Sequence, residues 1–153
     1  MISALHHAAT RLALVASLAF IASCAPRTSP EEQVRAAIAA AEQAAEARDV
    51  GATLALVADD YGDDNGFDKA RLRDFVRAYF VRHPSLELIV RIESVEFPAE
   101  DLAQVQLGIA SVARRGNGAS GAGLNLDSED LRVEFVQVNG EWRARRVDRG
   151  AVQ

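Results

Sequence analysis

The sequence predicts an α+β domain, with helices in its first half and a mostly antiparallel sheet in its second. Three observations predict it. Apolar residues recur with a helical period up to His83-Pro84 and with a period of two beyond it. Strand-like segments then follow one another with no helical pattern between them, the order of an α+β rather than an alternating fold. Asn139-Gly140 lies between the last two of them and is a strong signal for a tight hairpin.

The elements follow in order. Ser29-Pro30-Glu31-Glu32 reads as a helix start, with Ser29 as cap, Pro30 at the first helical position and Glu32 closing a capping box. The helix is expected to reach about Arg48, with Val34, Ile38, Ala41 and Ala45 on a narrow face that permits close packing. Asp49 is expected to cap a second short helix through Leu54, Leu56 and Val57, and residues 59–66 (DDYGDDNG) read as a polar loop. Asp68 caps the next helix, Phe67 staples onto Leu72, and Leu72, Phe75, Val76, Tyr79 and Phe80 form a core-facing stripe. Pro84 ends it, because the residue before a proline avoids the helical region.

Leu86, Leu88, Val90 and Ile92 then alternate with outward positions, whereas Val95 and Phe97 fall on the opposite parity, which predicts a bulge near Ser94. Val105, Leu107 and Ile109 mark a second strand. Leu131, Val133 and Phe135 mark a third, and Trp142, Ala144 and Val147 a fourth. Residues 115–123 hold four glycines and read as a loop.

At 153 residues the chain fits one domain. Seventeen basic against 22 acidic residues give a net charge of −5, which argues against a nucleic-acid partner. One cysteine excludes an internal disulfide framework and a Cys-rich zinc site. Residues 1–23 contain no acid, and the single Arg11 precedes the apolar run Leu12 to Ile21. That run is shorter than the roughly 20 residues needed to span a bilayer, so it reads as a secretory signal peptide.

Ile21-Ala22-Ser23-Cys24 resembles the lipobox of bacterial lipoproteins. The resemblance implies cleavage after Ser23 and a membrane partner reached through lipid on Cys24, with two or three acyl chains giving stable anchoring. Ala25, where an aspartate would favour retention, implies the inner leaflet of the outer membrane, on its periplasmic side. Residues 24–29 would be the lipidated cysteine and a short tether, and residues 30–150 the domain. The mature chain keeps sixteen basic and 22 acidic residues, a net of −6.

The helix Glu32–Arg48, the segment Asp49 to Tyr61 (DVGATLALVADDY), the helix Phe67–Phe80 and the hairpin Phe135–Val147 (FVQVNGEWRARRV) together resemble the nuclear transport factor 2-like superfamily. Ketosteroid isomerases and polyketide cyclases share its fold. The resemblance covers residues 31–149. It implies a cone in which N-terminal helices pack on a curved sheet, a pocket at the wide end, and a homodimer through the outer sheet face. Enzymes of this superfamily use an Asp or His base and Tyr donors in the pocket, and no such constellation aligns residue by residue here.

The chemistry-bearing residues are few. Asp60 as a base with Tyr61, Tyr79 and His83 is the candidate catalytic group. The plainer reading makes Tyr79 a packing residue on the core stripe and leaves His83 at a helix end, where its partial charge suits the dipole. Tyr61, Phe75, Tyr79 and Trp142 are the candidate pocket residues. The acidic loop fails the calcium-loop template, because Gly66 at position six puts Tyr61 at position one and Leu72 at position twelve. No metal and no cofactor is expected. His6 and His7 fall in the cleaved segment, which leaves too few ligands for zinc or a Cys–His nucleophile. Gly116 to Gly121 lacks the lysine of a phosphate loop.

Charge is uneven: residues 31–68 carry ten acids and two bases. Arg143, Arg145, Arg146 and Arg149 are expected to pair with Glu134, Glu141 and Asp148 across the hairpin, with a partner protomer as the other option. The leading expectation is a lipid-anchored periplasmic module, non-catalytic, that binds a small apolar ligand or a protein. The alternative is an isomerase, dehydratase or cyclase using Asp60 with Tyr61 or Tyr79. A third is a structural envelope protein recognised through its dimer face.

Overall fold

A computed structural model describes residues 28–114 and 124–149. The signal-like segment, Cys24, the glycine-rich stretch 115–123 and residues 150–153 lie outside the described residues. The elements are α1 (Pro30–Glu46), α2 (Val50–Ala55), β1 (Val57–Asp63), α3 (Lys69–Arg82), β2 (Ser85–Ala99), β3 (Leu102–Arg114), β4 (Leu124–Val138) and β5 (Glu141–Arg149). The five strands form one sheet in the order β1-β5-β4-β3-β2, antiparallel except for the β1–β5 pair.

Each helix starts as its sequence dictates. Ser29 Oγ accepts from the Glu32 amide at 3.2 Å while Glu32 Oε2 accepts from the Ser29 amide at 2.7 Å, a complete capping box. Asp49 accepts from Ala52 N and Asp68 from Arg71 N, at 2.9 and 2.8 Å. The C-terminus of α1 falls two residues short of the expected Arg48. Asp49 N donates to Ala44 O and Arg48 N to Ala45 O, with Arg48 at φ 56°, so a Schellman turn closes the helix on a non-glycine residue.

The expected loop at 59–66 is instead largely strand. Val57 to Asp63 runs parallel to β5, with Val57 opposite Ala144 and Asp63 opposite Val147, and only Asp64 onward turns. The segment DDYGDD has poor strand propensity. Pairing with β5 and burial of Val57, Ala58 and Tyr61 override it. For the same reason Leu56 and Val57 leave the short helix, which ends at Ala55.

The sheet follows the predicted parity. Ala103, Val105 and Leu107 of β3 face Phe135, Val133 and Leu131 of β4, and all six point inward. The register of β2 slips between Ile92 and Ser94, the expected bulge. Asn139 and Gly140 both take positive φ, as a two-residue type I′ hairpin requires. α1 lies across the concave face: Val34 and Ile38 share a cluster with Ala103, Val105, Phe135 and Trp142. This end of the cone is closed. At the other end of α1, Glu46 Oε1 accepts from the Leu88 amide at 2.8 Å and occupies one outward donor of the edge strand β2.

α3 buries Phe80 and half-buries Leu72, Val76 and Tyr79. Phe75, expected in the core stripe, is 47% exposed. It lines an opening instead of packing into the core.

Candidate functional site

Between α1 and the sheet, the narrow alanine face leaves space. Ala37, Ala41 and Ala45 look across at Val90, Leu107 and Val133, and line an apolar cleft of about 260 Å³. Small side chains on the helix create it, because a leucine at any of these positions would close the gap. Ile109, Leu131 and Val147 line this cavity and also the floor of a larger opening of about 560 Å³. The two adjoin at these three residues and together make a hollow, apolar on the α1 side and mixed at the larger opening, its mouth.

The mouth is built differently. The end of β1 and the turn after it contribute Asp63, Asp64 and Asn65, and α3 with its staple contributes Phe67, Leu72 and Phe75. The sheet contributes Ser111, Glu129 and Arg149. Strand parity places the last three there: Glu129 is two residues before the inward Leu131, and Arg149 two after the inward Val147. Ile109 stands directly opposite Glu129 in the ladder, so hydrocarbon gives way to carboxylate within one residue pair.

Asp63 organises the turn. Its Oδ1 accepts from the amides of Asn65 and Phe67 at 2.9 and 2.8 Å, and its Oδ2 from the Tyr61 hydroxyl at 3.4 Å. Asp64 Oδ2 accepts from the Arg149 amide at 3.1 Å, and Arg149 Nε lies 3.7 Å from Glu129 Oε1. Phe67 and Phe75 meet edge to face with ring centres 5.8 Å apart.

The residues singled out from sequence do not converge. Tyr61 is buried among Leu54, Val57 and Val147 and reaches the mouth only through Asp63. Burial pushes its phenol well above the ordinary tyrosine range, and the charge and hydrogen bond of Asp63 and the charges of Asp64 and Asp148 add to that. Asp60 is exposed on the far side of the bulge in β1, outside the hollow. Tyr79 and His83 stack on each other at 4.2 Å on α3, away from the mouth lining, and His83 Nδ1 is buried with no hydrogen-bond partner among the described residues. Trp142 packs at the closed end, edge-on to Phe97 at 5.9 Å. Of the four candidate pocket residues, Phe75 alone lines the hollow. Cys24 lies outside the described residues.

Sequence reasoning placed none of Asp63, Asp64, Phe67, Glu129 and Arg149 in a pocket: it weighed the two aspartates against the calcium-loop template, Phe67 as a staple and Arg149 as an ion-pair partner. The signal for Glu129 and Arg149 was present, since extending the inward parity of β4 and β5 by one step reaches both. For Asp63 it was not, because its place depends on β1 being a strand. No group of three His, Cys, Asp or Glu side chains among the described residues converges as a metal site. The arginines near the C-terminus pair within the sheet: Arg145 with Glu134 at 2.6 Å, Arg146 with Asp148 at 2.8 Å and Arg143 with Glu141 at 3.1 Å. No helix among the described residues is long and apolar enough to cross a membrane.

No family model and no curated protein matches this chain in sequence. Solved structures do match in shape. A candidate scytalone dehydratase from Novosphingobium aromaticivorans superposes with a TM-score of 0.71 at 12% identity, over 80% of this chain and 84% of that one. A conserved protein from Planctomyces limnophilus gives 0.68 at 17% identity, over 77% and 92%. A ketosteroid isomerase-like protein from Erwinia carotovora atroseptica gives 0.62 at 16%, over 82% and 99%. Helices first, a curved five-stranded sheet wrapped on α1, and these superpositions together identify the nuclear transport factor 2-like fold in this chain.

Proposed function

We propose that this protein is a lipid-anchored periplasmic module that holds a small, largely apolar molecule in its cone and performs no chemistry on it. The hollow carries the reading: an apolar cleft of about 260 Å³ beside a larger opening of about 560 Å³, with Ile109, Leu131 and Val147 lining both. Ligand sites are concave, mostly apolar and edged by a few polar groups, and this hollow has that make-up. Anchoring through Cys24 in the inner leaflet of the outer membrane, and a homodimer through the outer sheet face, belong to the same proposal. The lipobox-like segment supports the first and the resemblance of fold the second.

Nile red uptake by the purified protein, compared with a Ser111→Trp variant that fills the mouth, tests the binding. Uptake by the parent and its loss in a variant of unchanged melting temperature are expected. Equal uptake by both would overturn the cavity as the binding site.

The contact between Tyr61 and Asp63 favours a second reading, an isomerase, dehydratase or cyclase acting on a small apolar substrate. A carboxylate on the lining with a hydroxyl behind it is a workable acid–base pair. Its base would be Asp63 rather than Asp60. The ketosteroid isomerase-like and dehydratase neighbours lend it support. Screening lipophilic enones and hydroxyketones for turnover, then comparing Asp63→Asn with Asp60→Asn, separates the two roles.

A further inference from the structure

The hollow is electrically lopsided. Its mouth carries three carboxylates, Asp63, Asp64 and Glu129, and one guanidinium, Arg149, while Glu42 is the one carboxylate lining the apolar side. Among the described residues no Lys or Arg lies within ion-pair distance of Asp63 or Asp64, and Arg149 is only loosely paired with Glu129 at 3.7 Å. Every other carboxylate on the β5 ladder with an arginine beside it is held at 3.1 Å or less. Negative charge therefore outweighs positive charge on the lining of the larger opening.

Two aromatic rings share that rim. Phe67 already carries a cation, with the Arg71 guanidinium carbon 5.4 Å from its ring centre. Phe75, in edge contact with it, remains the exposed ring beside the carboxylates. An aromatic face next to carboxylates is the chemistry that holds an ammonium group, through the ring quadrupole and direct charge attraction. An anion would meet repulsion on the same path. We propose that the hollow selects organic cations, with an ammonium head among Asp63, Asp64 and Glu129 beside Phe75 and an apolar tail reaching in past Ile109 and Leu131 towards Ala41. The inference rests on the hollow being a ligand site and adds the class of ligand.

Isothermal titration of the purified protein with octyltrimethylammonium, octan-1-ol and octanoate tests it, since the three share one tail and differ in head charge. The ammonium is expected to bind about tenfold more tightly than the alcohol, with octanoate weakest, and added salt to narrow the gap. In the Asp64→Asn/Glu129→Gln double variant the ammonium is expected to lose about five- to tenfold while the alcohol is unchanged, which also shows that the variant is folded. Equal affinity for all three probes overturns the cation selectivity and leaves the cavity reading standing. Ammonium binding that survives Ser111→Trp places the probe elsewhere and overturns the proposal, and binding of none of the three overturns both readings together.

Discussion

Lys69 Nζ donates to the backbone carbonyl of Val57 at 2.7 Å and to Asp59 Oδ1 at 2.9 Å, so the only lysine of the chain ties the start of α3 to the outer edge of β1. The carbonyl belongs to an edge strand that has no neighbouring strand on that side among the described residues. The ammonium replaces the missing strand partner.

Lys69→Met is expected to destabilise the domain by about 1–2 kcal/mol, read from urea unfolding, because the Val57 carbonyl loses its donor. The same pair sets an acid dependence. Hydrogen bonding to Lys69, then its charge, holds the Asp59 carboxyl below the usual aspartate range. A depressed folded value contributes stability that is present above the unfolded value near 3.9 and is lost as pH falls through the folded one. The variant should therefore show a shallower loss of stability below about pH 4 than the parent.

Arg48 occupies the left-handed position of the Schellman turn, where a β-carbon is strained. Arg48→Gly is expected to raise stability by about 0.5–1 kcal/mol in chemical denaturation. An unchanged or lower midpoint would show that the arginine side chain compensates for its backbone.

Tyr61 predicts an alkaline limb. Its folded-state value is raised, chiefly by burial, so the stability it lends is intact below the unfolded value near 10 and declines as pH rises beyond it. Thermal melts from pH 9 to about 11 should fall more steeply for the parent than for Tyr61→Phe.

Asp63 separates a structural role from a chemical one. Asp63→Ala strands the Asn65 and Phe67 amides and is expected to cost about 1–2 kcal/mol. Asp63→Asn keeps an acceptor oxygen and should cost less than half as much. A turnover loss in the asparagine variant with stability retained would favour the enzymatic reading.

Much of this fold can be read from the sequence because it is written in local patterns. Ser29, Asp49 and Asp68 each cap the helix they precede, the bulge falls at Ser94, and the hairpin at Asn139-Gly140 forms as its residues require. The failures share one cause. Residues 57–63 have no strand periodicity, and their strand exists because β5, some 80 residues later, pairs with it. Placing Asp63 at the mouth depends on that long-range pairing, and so does setting Asp60 aside on the exposed bulge. Phe75 departs from the core stripe for a related reason: a helical stripe gives a face but not whether that face meets a packed core or an opening.

The direction of α1 has a consequence for traffic. The helix begins at the sealed end, where Val34 meets Trp142, and 17 residues, about 25 Å of helix, separate its start from the end nearer the mouth. A tether of the proposed kind would therefore reach the domain at the end away from the opening. On the proposed anchoring, attachment and exchange would use opposite ends of the domain, and a cargo could arrive or leave with the tether in place.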